Sequence, residues 1–297
     1  MTQQSRRTSP KRRPNRRKKL LRRYTALFLA SFVACLGCVG VSVRILLEEL
    51  ENTATNRSVL SLMNSGAQAE GVEEGAVLLN DAAPSGSMNS DFTELYAANG
   101  DLVGWIKAGA EIDLAVVQGT DNQHYLTTDF YGESNSAGSI FMDAENVISP
   151  ADDHLVIYGH NMKSGSMFGT LPSYRTLSYL KQYPTLQFRT IYESAAQADC
   201  VPFAIFDASM VAGDSNYFDI RRFNFETDAD KQAFIDELKS RSIFDIPVEV
   251  TAEDPLISLV TCSYSNDDGR FILAMRKVRS GEDVQTLAAQ VQQATAK

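Results

Sequence analysis

A cysteine and an arginine, residue types that can serve as a nucleophile and as an oxyanion donor, lie eight positions apart near the end of the chain. Cys262 ends the apolar run "LISLVTC", and Arg270 opens the next one, "RFILAMRKV". The turn signal Asp267-Asp268-Gly269 between them predicts an antiparallel hairpin in which Cys262 and Arg270 are cross-strand neighbours. A guanidinium there favours thiolate over thiol and offers donors to an oxyanion. On these residues alone, a hairpin with a buried cysteine and a surface arginine is the simpler interpretation.

A thiol nucleophile needs a proton carrier, and the chain has three histidines. His124 lies in the polar stretch "TDNQHYLTTDF", and His154 begins the hydrophobic run "HLVIYG". His160 follows that run and opens a polar, glycine-containing loop, which is the usual position of a site residue. This placement favours His160, although no spacing argument brings it near Cys262, 102 residues further along.

The charge distribution predicts where these residues work. The 28 Lys/Arg divide into 11 in the first 23 residues, Arg44, and 16 from Glu48 onward, where all 37 acidic residues lie. Between these regions, "YTALFLASFVACLGCVGVSV" is uncharged and would span about 30 Å as a helix, the thickness of a bilayer's hydrocarbon core. The basic block predicts a cytoplasmic N-terminus and an exported remainder.

Small residues near the end of this apolar stretch leave a cleaved signal peptide as an alternative to an anchor. A basic tail can also bind nucleic acid. Beside a membrane span, however, we expect the tail to orient the chain and contact anionic lipid, and we expect no nucleic-acid partner.

Export makes the cysteine count informative. Cys35 and Cys38 lie inside the span, so only Cys200 and Cys262 are exported, fewer than a disulfide-stapled domain carries. One disulfide, two buried thiols, or one reactive thiol beside a buried one all fit this count. We expect Cys200, in "ADCVPFAIF", to lie in the core.

Composition divides the chain into five parts. Residues 48–88 contain an acidic stretch rich in Gly, Ser and Pro that is typical of a linker, although their first part can continue the preceding helix. The last segment is expected to be a frayed helix or a tail. The predicted parts are a basic cytoplasmic tail (1–23), a transmembrane signal-anchor helix (24–47), an extracellular linker (48–88), a globular catalytic domain (89–281) and a C-terminal tail (282–297).

The globular part has the pattern of a barrel or sandwich, with many short strands separated by turns. A short helix is predicted after Asn89 or Ser90, and a second one over 228–241, where Thr227 and Asp230 form a capping-box pattern. No ligand cluster such as HExxH occurs, and we expect no metal or cofactor. The predicted strands are "LVGWIKA", "LAVVQG", "GSIFMD", "HLVIYG", "TLQFRTIYES", "CVPFAIFDASM", "IPVEV", "LISLVTC" and "RFILAMRKV".

Four stretches, in the right order along the chain, resemble the sortases of Gram-positive bacteria. "SLVTC" (Ser258–Cys262) is similar to the T-L-x-T-C signature of the family, with Ser in place of the first Thr. "IYGHNMKSGSMFG" (157–169) resembles the histidine motif of class B sortases, and residues 103–143 resemble that class's N-terminal barrel region. "DGRFILAMRKV" matches its arginine strand, so the resemblance extends from about Phe92 to Val278.

The resemblance implies a mainly β fold: a closed eight-stranded sortase-type β-barrel with flanking helices, preceded by a single transmembrane helix. It implies Cys262 as nucleophile, His160 as general acid and base, and Arg270 as the donor to the oxyanion or substrate. The helix at 228–241 resembles the class B insertion that walls the substrate groove. The substrate-binding positions it implies are Thr261, Asn122, Leu126 and Tyr158.

The implied function is that of a membrane-anchored cysteine transpeptidase that cleaves a sorting motif after Thr through a thioacyl-enzyme. Its expected partners are sorting-motif-bearing surface proteins, a peptidoglycan precursor that supplies the accepting amine, and the membrane. Two alternatives remain: a sortase that polymerises pilins through a pilin lysine, and a catalytically idle sortase-like binding protein.

Overall fold

The computed structural model describes residues 16–66, 87–262 and 269–297. The described chain forms two compact units, one ending at Leu50 and one spanning Glu51–Lys297. The start of the basic tail, most of the Gly/Ser/Pro-rich linker and the Asp267-Asp268 turn signal lie outside the described residues.

A single long helix, α1 (Arg16–Gly66), begins the described chain. Within the first unit its apolar side chains are exposed, and α1 is long and apolar enough to cross a membrane, as an anchor requires. Within the second unit its last turns are amphipathic, and Val59 and Met63 are buried in a cluster that includes Phe92 and Leu95. The helix therefore continues past the apolar stretch, as the sequence allowed.

The second unit is built on a closed barrel with the strand order β1-β2-β3-β4-β8-β9-β6-β5, in which β5 pairs with β1. This confirms the predicted eight-stranded barrel. Neighbouring strands are antiparallel except for the pairs β2–β3 and β4–β8, which are parallel. The barrel strands are β1 Leu102–Ala108, β2 Ile112–Val117, β3 Ile140–Met142, β4 His154–Tyr158, β5 Leu186–Thr190, β6 Asp199–Ser209, β8 Leu256–Cys262 and β9 Gly269–Lys277. A separate two-stranded ladder joins β7 (Phe244–Asp245) to β10 (Thr295–Ala296).

Four further helices flank the barrel, and their caps follow the sequence signals. The side chain of Asn89 accepts the Asp91 N–H at the start of a 3₁₀ turn that leads into α2. The Thr227 hydroxyl accepts the Asp230 N–H at 3.2 Å, so the predicted helix at 228–241 begins where its cap requires. The helices are α2 Thr93–Ala98, α3 Leu177–Gln182, α4 Asp228–Arg241 and α5 Val284–Gln292.

One predicted strand in this unit is wrong, and the C-terminal segment is more ordered than expected. The predicted strand "IPVEV" is irregular chain: Ile246, Val248 and Val250 alternate inward into the core, but no ladder partner lies beside them. The C-terminal segment, expected to be a frayed helix or a tail, contains the helix α5, which is capped by the Asp283 carboxylate and held by the buried side chain of Val291. An alternating apolar pattern reports burial on one side, and only a neighbouring strand makes it a β-strand.

Candidate active site

The hairpin that carries Cys262 and Arg270 has the register predicted from its turn. In the antiparallel pair β8–β9, Cys262 and Arg270 are directly opposed Cα partners. Opposed residues project from the same face with their Cβ atoms about 5 Å apart. Arg270 is half-buried, and its Nη1 donates to the Gly269 carbonyl at 3.0 Å, which keeps the guanidinium close to the strand.

His160 reaches the same end of the barrel through the parallel pair β4–β8. Tyr158 is the Cα partner of Val260, and the Gly159 N–H donates to the Val260 carbonyl at 3.2 Å. If this register is continued by two residues, His160 lies level with Cys262 on a neighbouring strand path about 4.8 Å away. The observed pairing of β4 with β8 thus leads the chain towards His160 at the end of the barrel where Cys262 lies opposite Arg270.

A main-chain carbonyl orients the imidazole. His160 Nε2 lies 2.8 Å from the Leu126 carbonyl oxygen, in the connection between β2 and β3. A carbonyl can only accept, so Nε2 carries the proton in the neutral ring. Nδ1 is then the nitrogen that can exchange a proton with a reacting group. The predicted groove residue Leu126 therefore contributes a backbone acceptor to the histidine.

The other predicted groove residues, Asn122 and Tyr158, meet on one carboxylate. The Asn122 amide and the Tyr158 hydroxyl donate to Asp143 Oδ2 at 3.0 and 2.8 Å, and Arg221 Nε donates to the same oxygen at 3.1 Å. Asp143 is fully buried. Burial, followed by the charge of Asp143, raises the pKa of Tyr158, so its hydroxyl stays protonated.

Thr261 occupies a different position from the other predicted site residues. As the neighbour of Cys262 on β8, its side chain projects to the opposite face, and its Cα partner is the buried Phe271. Its hydroxyl is buried and has no hydrogen-bond partner within the described ranges. We therefore expect any contribution of Thr261 to substrate binding to come from its main chain.

The other two histidines lie away from this end of β4 or on the surface. His154 begins β4, at the opposite end of the strand from His160, and is fully buried. Its Nδ1 donates to the Arg222 carbonyl and its Nε2 accepts from the Ser258 hydroxyl, both at 2.9 Å. Burial lowers the pKa of His154 to about 4, which keeps it neutral. His124 is exposed on a 3₁₀ turn.

Cys200 is buried in the core, as predicted, and burial raises the pKa of its thiol to about 11. A Cys200–Cys262 disulfide is excluded by strand register. Cys200 pairs with Lys277 on one side of β9, and Cys262 pairs with Arg270 on its other side. Seven residues of strand separate those partners, about 23 Å, whereas bridged Cα atoms lie within about 7 Å.

Sequence reasoning missed Asp143 and Arg221. Asp143 directly follows β3 in "GSIFMD", so the strand-end argument that selected His160 would also have selected this aspartate. Arg221 lies in irregular chain between β6 and α4, where no local pattern marks it.

No protein-family profile matches the chain. Among curated proteins, sortase B of Staphylococcus aureus is 32% identical over 191 residues, which cover 63% of this chain and 75% of that protein. Sortase B of Listeria monocytogenes is 32% identical over 205 residues, 67% of this chain and 79% of that protein. Among solved structures, a Staphylococcus aureus sortase B–substrate complex superposes with a TM-score of 0.65 at 25% identity, covering 79% of this chain and 100% of that one.

Proposed function

The chain belongs to the sortase B family of cysteine transpeptidases, and we propose that it cleaves a C-terminal sorting motif after Thr and joins the surface protein to an amine of the peptidoglycan precursor. The observation that carries the site assignment is the pair of strand registers around β8. One register opposes Cys262 to Arg270, and the other, continued past β4, sets His160 level with Cys262. The similarity to a Staphylococcus aureus sortase B solved as a substrate complex supports a substrate-binding site on this fold.

Acylation needs a thiolate, an oxyanion donor and an acid. In the proposed step the Cys262 thiolate attacks the threonine carbonyl, forming the S–C bond, and Arg270 donates to the oxyanion. The C–N bond then breaks, and His160 gives its Nδ1 proton to the departing amine. The products are a thioacyl-enzyme, a neutral imidazole and the released C-terminal peptide, so charge and protons balance.

Deacylation runs through the same groups in reverse. The accepting amine attacks the thioester carbonyl and loses a proton to His160 Nδ1, while the C–S bond breaks and returns the Cys262 thiolate. The Leu126 carbonyl holds Nε2–H throughout and so stabilises the imidazolium that this step restores.

The anchor and the topology belong to the same proposal. One helix, α1, is apolar enough to cross a membrane, and the 11 Lys/Arg in the first 23 residues favour a cytoplasmic N-terminus. The barrel then lies outside the cell, where surface proteins and wall precursors are accessible.

The test is mass spectrometry of the full-length protein, in detergent, with a panel of sorting-motif peptides. We expect an acyl adduct on Cys262 with one peptide, its absence in Cys262→Ala, and at least 100-fold slower turnover, on the order of a lost catalytic group, in His160→Ala and Arg270→Ala. The buried thiol gives a matched control, because Cys200→Ala should keep the adduct.

Cleavage by the Cys262→Ala protein, or an adduct on Cys200, would refute the assignment of Cys262 as the nucleophile. The accepting amine is identified by measuring turnover with either a peptidoglycan cross-bridge amine or a pilin lysine peptide added. Faster turnover with the first supports wall anchoring, and faster turnover with the second alone identifies a pilin polymerase.

A further inference from the structure

Asp143 is a buried carboxylate that joins three separate parts of the chain. Its Oδ2 accepts from Asn122 in the β2–β3 connection, from Tyr158 at the end of β4, and from Arg221 between β6 and α4. Its Oδ1 accepts the Glu145 N–H at 3.0 Å. Four donors thus satisfy one carboxylate that has no exposure to solvent.

This cluster adjoins the face that carries the nucleophile. Tyr158 and Val260 are Cα partners, so their side chains leave the same face of the sheet. Cys262 lies two residues beyond Val260 on β8 and shares that face. Tyr158 is therefore level with the β8 residue two positions before Cys262, and its hydroxyl is turned to Asp143.

Each polar group of Asn122 and Tyr158 already makes one hydrogen bond within the protein. The Asn122 carbonyl oxygen accepts the Ala144 N–H at 2.8 Å, and its amide donates to Asp143. The Tyr158 hydroxyl also donates to Asp143. Asp143 is the partner that both side chains share, so it sets the positions from which they would contact a peptide.

The same carboxylate holds the chain between β6 and α4. We call residues 219–225 the wall segment, because they lead into the helix α4. Arg221 in this segment also pairs with Glu145, and the His154 N–H donates to the Phe223 carbonyl. The ion pair between Arg221 and Asp143 is the attachment that connects the wall segment to the groove residues Asn122 and Tyr158.

We propose that Asp143 is the positioning residue of the substrate groove, fixing Asn122, Tyr158 and the wall segment relative to one another. Its side-chain oxygens bind groove and wall-segment residues, so we assign it to peptide binding and not to the chemical step. This proposal rests on the proposed function, because the groove is that of a sorting-motif enzyme.

The informative substitution is Asp143→Asn, which keeps the shape and removes the charge. A carboxamide has one acceptor and one donor group, whereas Asp143 faces N–H or O–H donors on both oxygens. Whichever way the amide is turned, its NH₂ points at another donor, and Arg221 loses its buried counter-charge. One side of the cluster must therefore open.

Asp254→Asn is the matched control. Asp254 is as buried as Asp143 and is likewise bound by an arginine, with Arg279 donating to its two oxygens at 2.7 and 2.8 Å. It stands before the start of β8, about 20 Å along the strand from Cys262. The control removes a comparable buried ion pair at the far end of the barrel.

The measurements are KM and kcat for a cleaved sorting peptide, the rate at which iodoacetamide alkylates Cys262, and amide hydrogen exchange of residues 219–225, all on full-length protein. For Asp143→Asn we expect KM to rise about tenfold, since one buried hydrogen-bonded contact is lost. Alkylation should change by less than about twofold, and exchange in the wall segment should be faster. Asp254→Asn should lower the melting temperature without these changes.

Unchanged KM, equal changes in the control, or a raised KM without faster exchange would each overturn the proposal. If Asp143→Asn does not fold, Arg221→Gln removes the link from its half-exposed side and should give the same faster exchange. Failure of the wild-type protein to cleave any peptide would refute the proposed function alone, because the exchange comparison still decides whether Asp143 holds the wall segment.

Discussion

Gly138 occupies a position where a single methyl group would disturb His160, the proposed general acid and base. It has a left-handed φ of +59°, and an added Cβ would lie 2.4 Å from the Tyr125 carbonyl oxygen and 2.7 Å from the Leu126 carbonyl oxygen. The second oxygen is the one that holds His160 Nε2 at 2.8 Å. Both contacts are to backbone, so a rotamer change cannot relieve them.

The displacement can be worked out from these distances. An ordinary contact for Cβ begins at 3.4 Å, so in Gly138→Ala the two carbonyls must move by about 1.0 and 0.7 Å. A shift of about 0.7 Å away from His160 would stretch its 2.8 Å bond beyond hydrogen-bonding range. Because misplacement on the order of 1 Å can cost 100-fold, we expect kcat/KM to fall by about 10- to 100-fold.

Gly132→Ala is the control within the same β2–β3 connection. Gly132 also has a positive φ, +84°, but a Cβ there would meet nothing within 4 Å. Both variants should lose about 1 kcal/mol of unfolding free energy from backbone strain, and Gly138→Ala should lose more because of its backbone contacts. Only Gly138→Ala should lose kcat/KM. Steady-state kinetics and urea unfolding measure the two effects separately. Equal activity in the two variants would refute the link between the Leu126 carbonyl and His160.

Two further predictions concern stability. The folded state keeps His154 neutral down to about pH 4, whereas the unfolded chain binds a proton at this histidine near pH 6.5. The contribution of His154 to the unfolding free energy is therefore full above pH 6.5 and falls by about 3 kcal/mol as the pH drops towards 4. Urea unfolding across this pH range should show a smaller loss of unfolding free energy in His154→Gln than in the wild type. Equal losses in the two proteins would count against this prediction. Met63→Ala should lower the unfolding free energy by about 2 kcal/mol because Met63 is buried in the second unit. Ser61 is exposed on the same helix, so Ser61→Ala should leave the unfolding free energy unchanged. Equal effects of the two substitutions would contradict the burial of Met63.

Local signals along the sequence were sufficient for much of the fold. The hairpin register that opposes Cys262 to Arg270 follows from apolar runs on both sides of a short turn. The helix α4 begins where Thr227 caps it, and Cys200 is buried in an apolar run. Each of these features depends on residues close together in sequence.

Where a local pattern needed a distant partner, the sequence misled. The segment around Val248 alternates like a strand, yet no strand lies beside it. The C-terminal helix α5 is polar enough to suggest fraying, but the buried Leu287 and Val291 hold it in the core. Tertiary packing decides such cases because most helix stability in proteins comes from the buried face.

The sequence by itself determined the parts of the site: a cysteine and an arginine across a hairpin, a histidine at a strand end, and an apolar span before them. Only the tertiary structure decided that β4, which leads to His160, pairs in parallel with β8, which ends at Cys262, and that Asp143 joins Asn122, Tyr158 and Arg221. The physical reason is loop closure. Pairing two strands that are about a hundred residues apart costs loop-closure entropy that no local preference offsets. The pairing becomes favourable only when the closed barrel buries its whole core.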